Sequence, residues 1–123
     1  MKTTPVKIGG KTFALAFTLD AMAALQDRMP DFDLNKVTTY HKTPRGLGDL
    51  IYCMAQQGEL LEGRELTVSR AWIGSHISPS PSRIARLQVA VLDAVNEGIK
   101  METEDEGGGE RDLVLESLKK KDE

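Results

Sequence analysis

Three groups of residues have the types and spacing for chemistry. The first is Gly9-Gly10-Lys11-Thr12, which ends like a phosphate-binding loop. Such a loop needs an earlier glycine, five positions before the last one, so that successive backbone N–H groups curl round the phosphates. That position is Pro5, which has no N–H to offer. The second group is Ser69, Ser75, Ser78, Ser80 and Ser82 around His76, a set from which a nucleophile and base could be drawn. Each serine stands near a segment end, where its hydroxyl serves backbone groups, and none lies on a strand-to-helix elbow. The third is Glu59, Glu62 and Glu65 around Gly63, which reads as a solvated helix end rather than an acid–base pair. His41 and His76 stand far apart with no cysteine or carboxylate at ligand spacing, so no metal site is expected. Cys53, the only cysteine, sits between Tyr52 and Met54 and reads as a reduced, packed thiol. The expectation is a protein with no catalytic, cofactor or metal site.

The elements that carry these residues follow from hydrophobic spacing. Val6 and Ile8, then Phe13, Leu15 and Phe17, alternate on either side of Gly9-Gly10, the pattern of a β-hairpin with a two-residue turn. Thr18 caps a helix to about Arg28, with Leu19, Met22, Leu25 and Met29 inward and Pro30 as its stop. Phe32, Leu34 and Val37 plug the core edge from a short connector. Thr43-Pro44 reads as a cap followed by a first-turn proline. The next helix places Leu47, Leu50, Ile51, Met54, Ala55 and Leu61 along one stripe, and Gly58 within it marks a bend or a close approach by a neighbouring helix. Thr67 is the expected cap of a third helix with Val68, Ala71, Trp72 and Ile77 inward. Ser80-Pro81 opens a fourth, ending near Glu97 and Gly98.

In that last helix the apolar arc from Ile84 to Val95 is too wide for one neighbour. It is either the central helix of the fold or one whose surplus face meets another subunit. Ile84, Leu87, Val91 and Val95, flanked by Arg83 and Arg86, form the candidate partner-binding face.

Charge divides the chain. Residues 1–101 hold 12 Lys and Arg against 10 Asp and Glu, whereas residues 102–123 hold 4 against 9. The stretch 102–112 combines like charges with three consecutive glycines and is expected to be disordered. The fold class expected is therefore mainly α: about four helices with an N-terminal β-hairpin in residues 1–101, and an acidic flexible tail in 102–123 with a possible short helix around Leu113, Leu115 and Leu118. No apolar run approaches the ~20 residues of a bilayer crossing, and no leader peptide is evident, so a cytoplasmic location is expected. Arg64, Arg70, Arg83 and Arg86 on two successive helices could imitate a helix-turn-helix, giving a small DNA-binding regulator as the alternative. Against it, the acidic tail competes with phosphate, and the remainder is barely positive.

Read in order, VKIGGKTFALAFTLDAMAAL, TPRGLGDLIYCMAQQGELLEGRELT, RAWIGSHISPSPSRIARLQVAVLDAV and the charged end from METEDE to KKKDE resemble the tail assembly chaperones of long-tailed, non-contractile bacteriophages and prophages. The likeness lies in order and texture over nearly the whole chain, not in a short motif. It implies a mostly helical, non-catalytic protein of the host cytoplasm that binds the tape measure protein, recruits tail tube subunits and is absent from the mature virion. It also implies a longer product made by ribosomal frameshifting, for which Lys119-Lys120-Lys121 is a candidate slippery site. Homo-oligomers are compatible with it.

Overall fold

The computed structural model describes residues 2–106, with side chains described through Lys100. Strands β1 (Thr4–Ile8) and β2 (Lys11–Leu15) form an antiparallel hairpin in which Ile8 pairs with Lys11 and Thr4 with Leu15. Gly9 and Gly10 have φ of 57° and 80°, the left-handed conformation that a two-residue hairpin turn requires. They make a turn, not a phosphate cradle. Four α-helices follow: α1 (Leu19–Arg28), α2 (Pro44–Leu61), α3 (Arg70–Ser75) and α4 (Pro81–Glu106). A 3-10 segment, Leu34–Lys42, lies between α1 and α2.

Local chemistry sets most of the boundaries. The Thr18 hydroxyl accepts from the Ala21 N–H and starts α1; the Thr43 hydroxyl accepts from the Gly46 N–H and starts α2, with Pro44 in its first turn. The 3-10 segment begins at Asp33, whose carboxylate accepts from Asn35, and it ends where Pro44 opens α2. Two boundaries differ from expectation. Helix α3 is capped by Ser69 rather than Thr67, because Ser69 is the hydroxyl within reach of the Trp72 N–H at 3.0 Å. Helix α4 continues past Gly98 to Glu106, so the compositional boundary at residue 101 falls inside a helix. What was expected for 107–123 lies outside the described residues.

Helix α2 is the centre of the fold, packing against β2, α1, the 3-10 segment, α3 and α4. Its Leu50, Ile51, Met54 and Ala55 meet Ile8 and Leu15 of the hairpin, Leu25, Ile73, Leu87, Val91 and Val95 in one core. Each fully buried side chain of this size contributes about 1.5–3 kcal/mol. The stripe along α2 ends before Leu61, which is half in solvent, and Leu19 and Leu34 also face water. In α1 Leu25 and, at its C-terminal cap, Met29 are buried as expected, Met22 packs half-buried against the core, Ala21 joins them, and Leu19 turns outward.

The contact that orders these parts runs along the outer edge of β2. The two-residue turn makes Ile8/Lys11, Val6/Phe13 and Thr4/Leu15 the hydrogen-bonded pairs, so the Ala14 backbone faces outward. Helix α2 lies against it. The Ala14 N–H donates to the Glu59 carboxylate at 3.1 Å, and the Ala16 N–H donates to Met54 O at 3.0 Å. Gly58 permits this approach: a Cβ there would stand 1.9 Å from Ala14 O. The close neighbour of Gly58 is thus a strand, not a helix. Glu59, read from sequence as solvated, is buried and is clamped by Arg64 at 2.8 Å. The opposite edge of the hairpin is closed by composition and by α4: Pro5 carries no N–H, and the Arg83 guanidinium donates to Lys7 O.

Two expectations follow. Gly58→Ala should destabilise the protein by about 2 kcal/mol, although Ala gains ~1 kcal/mol over Gly in an open helix, because backbone on both sides resists the added methyl. The urea midpoint measures this. The hydrogen bonds from Arg64, opposed by burial and helped by the Ala14 N–H, hold the Glu59 carboxyl below its ordinary value. Its stabilisation is therefore complete above the ordinary Glu pKa of about 4.3 and is lost as pH falls through the lowered folded value. Urea midpoints between pH 7 and pH 3 should fall less steeply in Glu59→Gln, which starts from a lower stability at pH 7.

Candidate functional site

Of the candidate face on α4, the structure divides the residues. Leu87, Val91 and Val95 are at most 2% exposed and belong to the core, so the folded chain has no Leu87, Val91 or Val95 surface to present to a partner. Ile84 is half-buried against that core. Arg83 is half-buried and tied to the hairpin through Lys7 O. Arg86 is exposed, its Nε directed at Ser82 O of its own helix at 3.4 Å. The arc is over-wide, as the sequence indicated, but the surplus lies on the other side, at Ala85 and Val89.

Among the described residues the exposed large apolar side chains are Leu19, Leu34, Leu60, Leu61, Val89 and Ile99, three of them on the turns where α1 begins and α2 stops. Leu19 is 79% exposed, Leu60 60% and Leu61 51%. Thr18 Oγ1 donates to Gln57 Oε1 at 3.2 Å, joining the first turn of α1 to the last turns of α2, and Gly98 of α4 abuts Phe17 O beside them. Asp20 and Glu62 stand next to these leucines in sequence and keep the end acidic. No periodicity identified this patch, because Leu19 and Leu61 both fit a core stripe; only the caps and the pose of the hairpin turn them outward.

The opposite end of the hairpin is aromatic and basic. Trp72 is half-buried, meets Phe13 edge-on at 6.0 Å and stacks with His76 at 3.9 Å, while Lys11 Nζ lies 5.5 Å from its ring. The fully buried residue of α3 is Ile73, which the sequence did not single out. His76 Nδ1 lies 2.7 Å from Trp72 O and 3.2 Å from Ser75 Oγ, and Ser69 and Ser80 serve as caps. Ser69, Ser75, Ser80 and His76 are thus engaged with backbone groups.

Asp49 is buried in α2, with Arg70 Nε at 2.7 Å from one oxygen and Arg45 Nε at 3.8 Å from the other. This pair fastens α3 to α2. Burial pushes the Cys53 thiol up to about 11, which makes it a poor nucleophile near neutral pH. Among the described residues no group of three or more His, Cys, Asp or Glu side chains is arranged to hold a metal ion. An open groove of about 320 Å³ runs between Lys2–Pro5 and Asp93, Asn96 and Glu97, lined by hydroxyls, carboxylates and one lysine. Among the described residues no helix is long and apolar enough to cross a membrane.

Comparison with family models, with curated proteins and with solved structures finds no match for this chain. The geometry defines a small, mainly α-helical domain with an N-terminal hairpin and with exposed apolar side chains on α1, α2 and α4.

Because the two classes of leucine have opposite surroundings, they separate by stability. Leu87→Ala should cost about 2–5 kcal/mol, whereas Leu60→Ala should change stability by no more than about 0.5 kcal/mol. Chemical denaturation of both variants checks this.

Proposed function

We propose that this chain is a non-catalytic tail assembly chaperone of a long-tailed, non-contractile phage or prophage, acting in the host cytoplasm and leaving before the virion is complete. It binds the tape measure protein and recruits tail tube subunits. The observation that carries the reading is the apolar end made by Leu19, Leu60 and Leu61. A long helical partner exposes apolar stripes, and a helix laid on such a patch buries them while the acidic surroundings keep the complex in solution. None of these three leucines belongs to the core of the described fold. The order of elements along the sequence supports the same reading.

The DNA-binding alternative loses most of its residues. Arg64 is bound to Glu59, Arg70 to Asp49 and Arg83 to Lys7 O, which leaves Arg86 as the one of the four with no partner outside its own helix among the described residues. One arginine supplies little of the salt-dependent attraction that duplex binding needs.

Co-expression with a tape measure protein from the same genome is the test. The wild-type chain should co-purify with soluble tape measure protein. Leu60→Asp with Leu61→Asp should keep the fold and lose at least about tenfold in affinity, the scale of removing a central apolar anchor. Insoluble tape measure protein in the presence of the wild-type chain, or tight and steeply salt-dependent binding to mixed duplex DNA, would count against the reading.

A further inference from the structure

The outward apolar strip of α4 has a register of its own. Ala85, Val89, Leu92 and Asn96 follow one another at intervals of four, three and four, the alternation of the two seam positions in a heptad repeat. Val89 is 59% exposed, Ala85 and Asn96 are exposed and Leu92 is half-buried, so this seam lies beside the core stripe of Leu87, Val91, Ala94 and Val95 and not within it. The two flanks of the seam differ. On one side stand Gln88 and Val95; Val95 is in the core, and Gln88 Nε2 donates to His41 O at 3.1 Å. On the other side stand Arg86 and Asp93, seven residues apart and both exposed. Neither forms an ion pair among the described residues.

We propose that α4 pairs with α4 of a second copy of this chain, antiparallel, through Ala85, Val89 and Leu92. The flanks decide the direction. In a parallel pair the charged flank of one helix meets the opposite flank of the other, and that flank is occupied by the chain's own core. An antiparallel pair brings like flanks together. With Val89 set opposite the partner's Leu92, the twofold axis passes between these positions, and Arg86 of each copy falls beside Asp93 of the other. The contact is self-complementary, as a twofold interface must be, and the two helix dipoles oppose each other. The leucines at the end of α2 lie outside this seam, so the pairing is independent of tape measure binding and goes beyond that reading.

Sedimentation velocity over a concentration series up to about 1 mM tests the proposal with the full chain. A reversible monomer–dimer equilibrium is expected. Val89→Glu should raise the dissociation constant at least about tenfold, by placing a charge in the seam of each copy. Arg86→Asp and Asp93→Arg should each raise it about tenfold through like-charge contacts, and the double exchange should return it to within about threefold of wild type. Helical content and thermal midpoint of each variant establish that the fold is kept. Leu60→Asp with Leu61→Asp should leave dimerisation unchanged. A chain monomeric throughout, a dimer indifferent to Val89→Glu, or charge variants that the double exchange does not rescue would each overturn the proposal. So would loss of tape measure binding on Val89→Glu in a monomeric wild-type protein, which would assign the seam to that partner.

Discussion

The fold depends on one backbone contact, the seating of the outer edge of β2 on α2. A two-stranded hairpin is marginal by itself and leaves polar groups along both edges. Here the edge toward the core is not covered by another strand but by a helix, which ordinarily has no backbone donors or acceptors to spare. The solution is to bring the helix very close at Gly58 and to use the Glu59 carboxylate and Met54 O as acceptors for the Ala14 and Ala16 N–H groups. Once that edge is seated, Phe13, Leu15 and Phe17 point into the space beneath α2, and the remaining helices close round it.

Ion pairing in the molecule serves this arrangement. Burying Glu59 and Asp49 carries a desolvation cost that is tolerable only because each carboxylate has an arginine in contact. Arg64 comes from the loop after α2 and Arg70 from α3, so each pair ties a later segment back to the central helix. This use of arginines explains why a chain with several of them on consecutive short segments does not present a basic face to a polyanion.

Helix α4 shows how one element serves two surfaces. Its inward side completes the core through Leu87, Val91, Ala94 and Val95, and its N-terminal turns lock the hairpin through Arg83. The remaining apolar residues are displaced round the helix, where nothing in the described fold covers Val89. With Leu19, Leu60 and Leu61 they are the apolar side chains of α1, α2 and α4 that the described fold leaves in water.

The sequence by itself determined the element types and much of their limits: the Gly9-Gly10 turn, the Thr18 and Thr43 caps, Pro44 and Pro81 at helix starts, and the stripe from Leu47 to Ala55. These are local choices, governed by backbone torsion, by caps within three residues and by side chains on the same helix face. It also showed that the apolar arc of α4 exceeds one interface. What only the tertiary structure decided is which apolar residues go inside and which carboxylates are buried. Leu19 and Leu61 have core spacing yet face water, Leu87 and Val91 fit a partner face yet fill the core, and Glu59 sits beside a glycine like a solvated residue yet closes a strand. Each outcome depends on where a distant segment lies, Ala14 against Gly58 above all. A one-dimensional pattern fixes the face of a helix but not the neighbour that face meets.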